Sequence, residues 1–125
     1  MEIEDYESVK KWFTKANGKP RYTPKTEERN IKYMNMFCNL SKMTPDELAS
    51  CLSINKERDV IASGLERKRL RIYTITSMIN ALNVFWRTNG RLIDDVYGGI
   101  RPELKAKIVL REKATRARSS HLLAP

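Results

Sequence analysis

The sequence predicts an all-α protein, on three observations. Apolar residues recur at three- and four-residue spacing in several separate runs, and helix-start residues stand before the strongest of them. No run of alternating apolar and polar residues competes, apart from the β-branched patch from Ile72 to Thr76. At 125 residues the chain has the size of one domain with one core.

Taken in order, Tyr6, Val9, Trp12 and Phe13 predict a short first helix that Asn17-Gly18-Lys19-Pro20 terminates. Thr23-Pro24-Lys25-Thr26 opens the next. The Thr23 hydroxyl is placed to cap it, and Pro24 sits at the first helical position, where a missing N–H costs nothing. Ile31, Met34, Phe37 and Cys38 then mark one face up to about Leu40. Thr44-Pro45-Asp46-Glu47 reads as a capping box leading into a short helix with Leu48 and Leu52. Asn55 is the expected cap of a helix carrying Val60, Ile61 and Leu65, weakened at Gly64 by about 1 kcal/mol relative to Ala. Ile75, Ile79, Leu82, Phe85 and Trp86 define a strong helix that stops at Asn89-Gly90. Leu92 to Tyr97 precede Gly98-Gly99, and Pro102 opens a last helix with Leu104 and Ile108. Residues 111–125 lack a sustained period and are expected as a basic tail or linker after a domain spanning 1–110.

The charge narrows the partners. Twenty-four Lys and Arg against 15 Asp and Glu leave a net +9, which favours polyanions, nucleic acid before an anionic membrane surface. Cys38 and Cys51 beside a single His fit neither a zinc spacing nor a disulfide framework, and they read as reduced thiols of an intracellular, cytoplasmic protein. The acidic start lacks the apolar core of a signal peptide, and no stretch approaches the ~18 apolar residues of a membrane span. No metal or cofactor is expected. Asp94-Asp95 lacks further ligands, and His121 has no carboxylate or Cys near it in sequence. No set of nucleophile, base and oxyanion donor can be assembled, so the chain is not expected to be an enzyme by itself.

The positive charge is clustered: residues 17–43 carry a net +4 and residues 67–91 a net +6. A shift of 48 positions superposes these segments, setting Thr26 on Thr74, Ile31 on Ile79, Met34 on Leu82, Asn35 on Asn83 and Phe37 on Phe85. Each long helix thus has a basic lead-in, Lys19 and Arg21 before the first and Arg67, Lys68, Arg69 and Arg71 before the second. Helix starts furnished in this way bind phosphates. The candidate contact residues are Arg21, Tyr22, Thr23, Lys25 and Thr26 at the first start, and the Arg67 to Arg71 cluster with Tyr73, Thr74, Thr76 and Ser77 at the second. Arg29, Lys32, Asn80 and Arg87 lie on the polar sides, where Arg suits guanine and Asn suits adenine. The bland reading is that two amphipathic core helices share Ile and Phe by spacing alone and that a basic run is a solvated face. The matching lead-ins argue for a site, provided the fold brings them onto one cationic face.

The Thr-Pro-Lys-Thr helix with Tyr33 and Phe37, the T-P-D-E-L segment, and the Thr-led helix with Ile79, Ala81-Leu82 and Phe85 before Asn-Gly resemble the amino-terminal core-binding domain of tyrosine recombinases and phage-type integrases, over approximately Tyr6 to Leu110. The resemblance implies a compact SAM-like bundle of four to five helices that holds duplex DNA at a recombination or integration site. It implies DNA contacts at Tyr22 to Arg29 and Arg69 to Ser77. It also implies that the catalytic set belongs to a separate domain, with that domain or further protomers as possible partners on DNA. Two alternatives stay open. One is a protein-interaction module with an apolar groove beside Trp12 and Trp86. The other is an RNA-binding domain in which Tyr22 or Tyr73 stacks on bases.

Overall fold

A computed structural model describes the backbone of residues 2–123 and the side chains of residues 2–117. A single 3-10 turn, Ile3–Asp5, precedes six α-helices: α1 Glu7–Phe13, α2 Pro24–Ser41, α3 Pro45–Ala49, α4 Ile54–Arg67, α5 Ile72–Thr88 and α6 Pro102–Leu123. Among the described residues there is no strand, only an isolated bridge between Thr14 and Pro20, and the β-branched patch at Ile72 to Thr76 lies inside α5. No helix among them is long and apolar enough to cross a membrane.

The helix starts follow from local chemistry. The Thr23 hydroxyl accepts from the backbone N–H of Thr26, and Thr44 and Glu47 form the reciprocal capping box that stops α3 from fraying. The start of α4 differs from expectation. Its N-cap is Ser53 and its first residue Ile54, so Asn55 lies inside the first turn. The helices end on left-handed or turn residues, Lys42 after α2 at φ 61° and Gly90 just beyond α5 at φ 79°.

The core is made of Val9, Trp12, Met34, Phe37, Leu48, Ile61, Leu65, Ile75, Ile79, Leu82, Phe85, Trp86, Leu104 and Ile108. These are the apolar faces of all six helices, removed together from water. Both tryptophans are fully buried and satisfied. Trp12 Nε1 donates to Tyr22 Oη at 3.1 Å and Trp86 Nε1 to the Leu48 carbonyl at 2.9 Å. The apolar groove expected beside them is therefore filled by the protein's own core, since Trp12 packs against Phe13, Tyr22 and Phe85. Asn89 Nδ2 donates to the Ser8 carbonyl and so ties the end of α5 to the first turn of α1. Gly64, costly in isolation, lets Leu40 pack close: a Cβ there would stand 2.4 Å from Leu40 Cδ2 and would displace that side chain. Cys38 and Cys51 are free thiols, and burial pushes the Cys38 thiol up to about 11, leaving it protonated at neutral pH.

Helix α6 is mounted on α4. Arg58, 1% exposed, donates through Nη1 to the Asp95 and Gly98 carbonyls at 2.6 and 3.0 Å, and its guanidinium lies 5.8 Å from the Trp86 ring centroid. Desolvation lowers its pKa and the nearby Asp95 charge opposes that shift; with no ion pair within contact distance among the described residues, the two carbonyls and the ring are its close partners. Gly99, at φ 84°, passes so close to α4 that a Cβ would lie 2.1 Å from the Asn55 carbonyl oxygen. Farther along α4, Glu66 pairs with Arg101 and with Lys107 of α6. The helix then continues through Leu123, so residues 111–123, expected as a tail, carry α6 onward; Ala124 and Pro125 lie outside the described residues.

Candidate nucleic-acid interface

The two basic lead-ins meet different fates. At the first, Arg21 is half-buried; its Nε donates to the Trp12 carbonyl at 3.0 Å and its Nη2 to the Thr14 carbonyl at 3.4 Å. Tyr22 is half-buried, with its hydroxyl on Trp12 and its ring edge-on to Trp12 and Phe13, and this burial raises its pKa. The Thr23 and Thr26 hydroxyls bond to one another across the cap. Of the expected contacts here, Lys25, Arg29 and Lys32 remain exposed, and the Arg29 guanidinium lies 5.4 Å from the Tyr33 ring centroid.

At the second, Arg67, Lys68, Arg69 and Arg71 are all exposed, and none pairs with a carboxylate among the described residues. They occupy the tight connection from α4 into α5. Arg69 takes φ 58°, a left-handed conformation that costs a non-glycine residue roughly 1–2 kcal/mol. The same left-handed conformation ends α2 at Lys42, and at Arg69 the backbone N–H donates to the Glu66 carbonyl, closing the end of α4.

The expected single platform does not form. Tyr22 connects through Trp12 to Phe85, in the last turns of α5, whereas Arg71 immediately precedes its first turn. The far end of α2 meets the second cluster instead: Leu40 packs on Gly64, one turn before Arg67. At 1.5 Å per residue the first lead-in and Leu40 stand about 25 Å apart, so Arg21 and the Arg67 to Arg71 cluster lie toward opposite ends of α2. The reason is topological, because α4 and α5 form an antiparallel pair whose connection lies beside the end of α2 rather than its start.

What joins the second cluster is α6. The Arg111 guanidinium lies 5.3 Å from the Tyr73 ring centroid, and this stack forms a common wall between two depressions. One, of about 530 Å³, is bordered by Arg71, Ile72 and Thr74. The other, of about 320 Å³, runs between α5 and α6 and is lined by Thr76, Ser77, Asn80, Glu112, Thr115 and Arg116. Within it Arg116 pairs with Glu112 at 3.7 Å, and Glu112 also raises the pKa of Tyr97 after burial has done so. Thr76 Oγ1 donates to the Ile72 carbonyl at 2.8 Å, so its proton is spent inward, whereas Thr74 and Ser77 hydroxyls make no hydrogen bond among the described residues. Arg111 Nε is buried without a hydrogen-bond partner, a spare donor in a cationic wall.

Arg71, Tyr73, Thr74, Thr76, Ser77 and Asn80 are thus brought together as expected. Arg87 is exposed two turns beyond Asn80, where its charge is felt by Arg58 rather than in the groove. Arg111, Thr115 and Arg116 were missed. A signal for them existed: Leu104, Ile108, Arg111 and Thr115 follow one helical period, and the face toward α5 continues in polar residues after its apolar members end. Asp94 and Asp95 belong to no cluster of three metal-ligating residues among those described. The side chain of His121 lies outside the described residues. Comparison with protein-family models, curated proteins and solved structures finds no match to this chain.

Proposed function

We propose that this chain is a duplex-DNA-binding module whose contact surface is the α4–α5 connection together with the α5–α6 groove. The observation that carries this reading is the acid-free run Arg67, Lys68, Arg69 and Arg71, leading directly onto a groove crossed by Arg111. Backbone phosphates are met by exposed cations and by the free hydroxyls of Thr74 and Ser77, and Asn80 is the side chain in the groove suited to a base edge. The neighbouring Glu66 does not oppose this, because Arg101 and Lys107 neutralise it. The further assignment, to the non-catalytic DNA-holding half of a tyrosine recombinase, is supported by the sequence resemblance alone. Its two-start clamp keeps only one fully exposed start.

Fluorescence anisotropy with a labelled duplex across a salt series tests the proposal. About six phosphate contacts predict a loss of roughly a thousandfold in affinity between 50 and 200 mM salt. Replacing Arg67, Lys68, Arg69 and Arg71 by Ala is expected to weaken binding to all sequences and to reduce the salt slope by about one unit for each phosphate no longer bound. Binding that is indifferent to salt, or unchanged in the quadruple variant, refutes it.

A further inference from the structure

We infer that Tyr73 is a stacking platform for an unpaired nucleotide, so that the protein prefers DNA with a bulged or gapped base over the matched duplex. The inference rests on the DNA-binding reading and specifies which form of DNA this surface takes. Tyr73 is 61% exposed although the Arg111 guanidinium covers one face of its ring. A tyrosine with one face covered reaches that exposure only when the other face is open to solvent. Large aromatic rings left open in this way are uncommon, and the chain's other tyrosine beside a basic lead-in, Tyr22, is consumed by packing on Trp12 and Phe13.

The surroundings of the ring match a nucleotide better than a smooth duplex. Arg71 stands in the depression on one side of the Tyr73–Arg111 wall, so a phosphate flanking a stacked base falls to a cation there, while in the groove on the other side Arg116 is shared with Glu112. Asn80 and Ser77 line the groove and present donors and acceptors to a base edge. The groove's volume of about 320 Å³ lies at the small end of the range of ligand clefts and is large enough for one base. The Arg111 guanidinium lies over one face of the ring, 5.3 Å from its centroid, so it adds charge to the platform without occupying the other face. Stacking of this kind tolerates any base, because every base has a π-face.

The experiment compares one labelled duplex with the same duplex carrying a single bulged 2-aminopurine. Wild type is expected to bind the bulged form about tenfold tighter, from the usual worth of one base–aromatic stack, and to quench 2-aminopurine emission on binding. Tyr73→Ala is expected to remove the quenching and to bring the affinities of that variant for the bulged and the matched duplex to within about twofold of each other. Tyr73→Phe, which keeps the ring and the Arg111 stack, is expected to retain the preference and the quenching. Circular dichroism checks that each variant is folded, as the exposure of the ring predicts. Equal binding of the two duplexes by wild type, or a preference that survives Tyr73→Ala, overturns the inference while leaving the duplex reading standing. Failure to bind either duplex overturns both. A bulge bound tightly only because it bends easily keeps its advantage in Tyr73→Ala, which separates deformability from stacking.

Discussion

The segments Lys19 to Thr26 and Arg67 to Thr74 have nearly the same plan in sequence, basic residues and then a Thr-containing helix start, and they end up in opposite situations. The first is a structural corner. Lys19 and Lys25 stay exposed, but Arg21 commits two of its five N–H donors to main-chain carbonyls, the Tyr22 hydroxyl oxygen accepts from Trp12, and the Thr23 oxygen serves the cap. The second is open, with cations that have no acidic partners among the described residues and an aromatic ring facing water. The difference arises from the neighbours that each start acquires. Trp12 and Phe13 fold back over the first, whereas the second receives α6, whose facing residues have turned from Leu and Ile to Arg and Thr. A basic helix start stays open to solvent only where its donors have no internal acceptors nearby.

Three substitutions break or sharpen this contrast, beginning with the largest effect. Trp12→Ala removes the ring on which the first corner is built and is expected to cost about 3 to 5 kcal/mol, read by urea denaturation; duplex affinity of the remaining folded fraction should be unchanged. Arg21→Ala removes the donor to the part-buried Trp12 carbonyl and is expected to cost about 1 kcal/mol while altering duplex affinity less than any single substitution in the Arg67 to Arg71 cluster. If Arg21→Ala instead leaves stability intact and weakens DNA binding several-fold, the first start is a contact and the contrast fails. The smallest effect has opposite signs in two assays. Arg69→Gly relieves a left-handed residue and is expected to raise stability by up to about 1 kcal/mol, seen as a higher Tm, while lowering duplex affinity and the salt slope by one phosphate contact.

Helix existence was legible where caps and apolar period agree, as at Thr23-Pro24 and at the Thr44 box, because both signals are local. The start of α4 was not, because Ser53 makes no side-chain cap bond and Asn55 looked the better cap; inside the first turn Asn55 instead lies against Gly99, forty-four residues away. The second half of the candidate site was readable from Arg71 through Asn80, since one helix carries it. Its other wall was harder to read for a physical reason: beyond Leu104 and Ile108 the face of α6 toward α5 passes to arginine and threonine, so the apolar stripe that announces the helix stops before the groove. The failure of the first lead-in to join was also not local. Nothing in Arg21 itself says that the Trp12 and Thr14 carbonyls will come within reach of its guanidinium.

The attachment of α6 has a mechanical consequence. Arg58 and Glu66 are two fasteners on a single rod, α4, spaced two helical turns apart, and two fasteners fix a direction as well as a position. One residue inserted in α4 between them would rotate one fastener by about 100° against the other and swing α6 away from Tyr73. The aim of Arg111 is therefore governed by a helix to which, among the described residues, it is joined by no hydrogen bond or ion pair of its own.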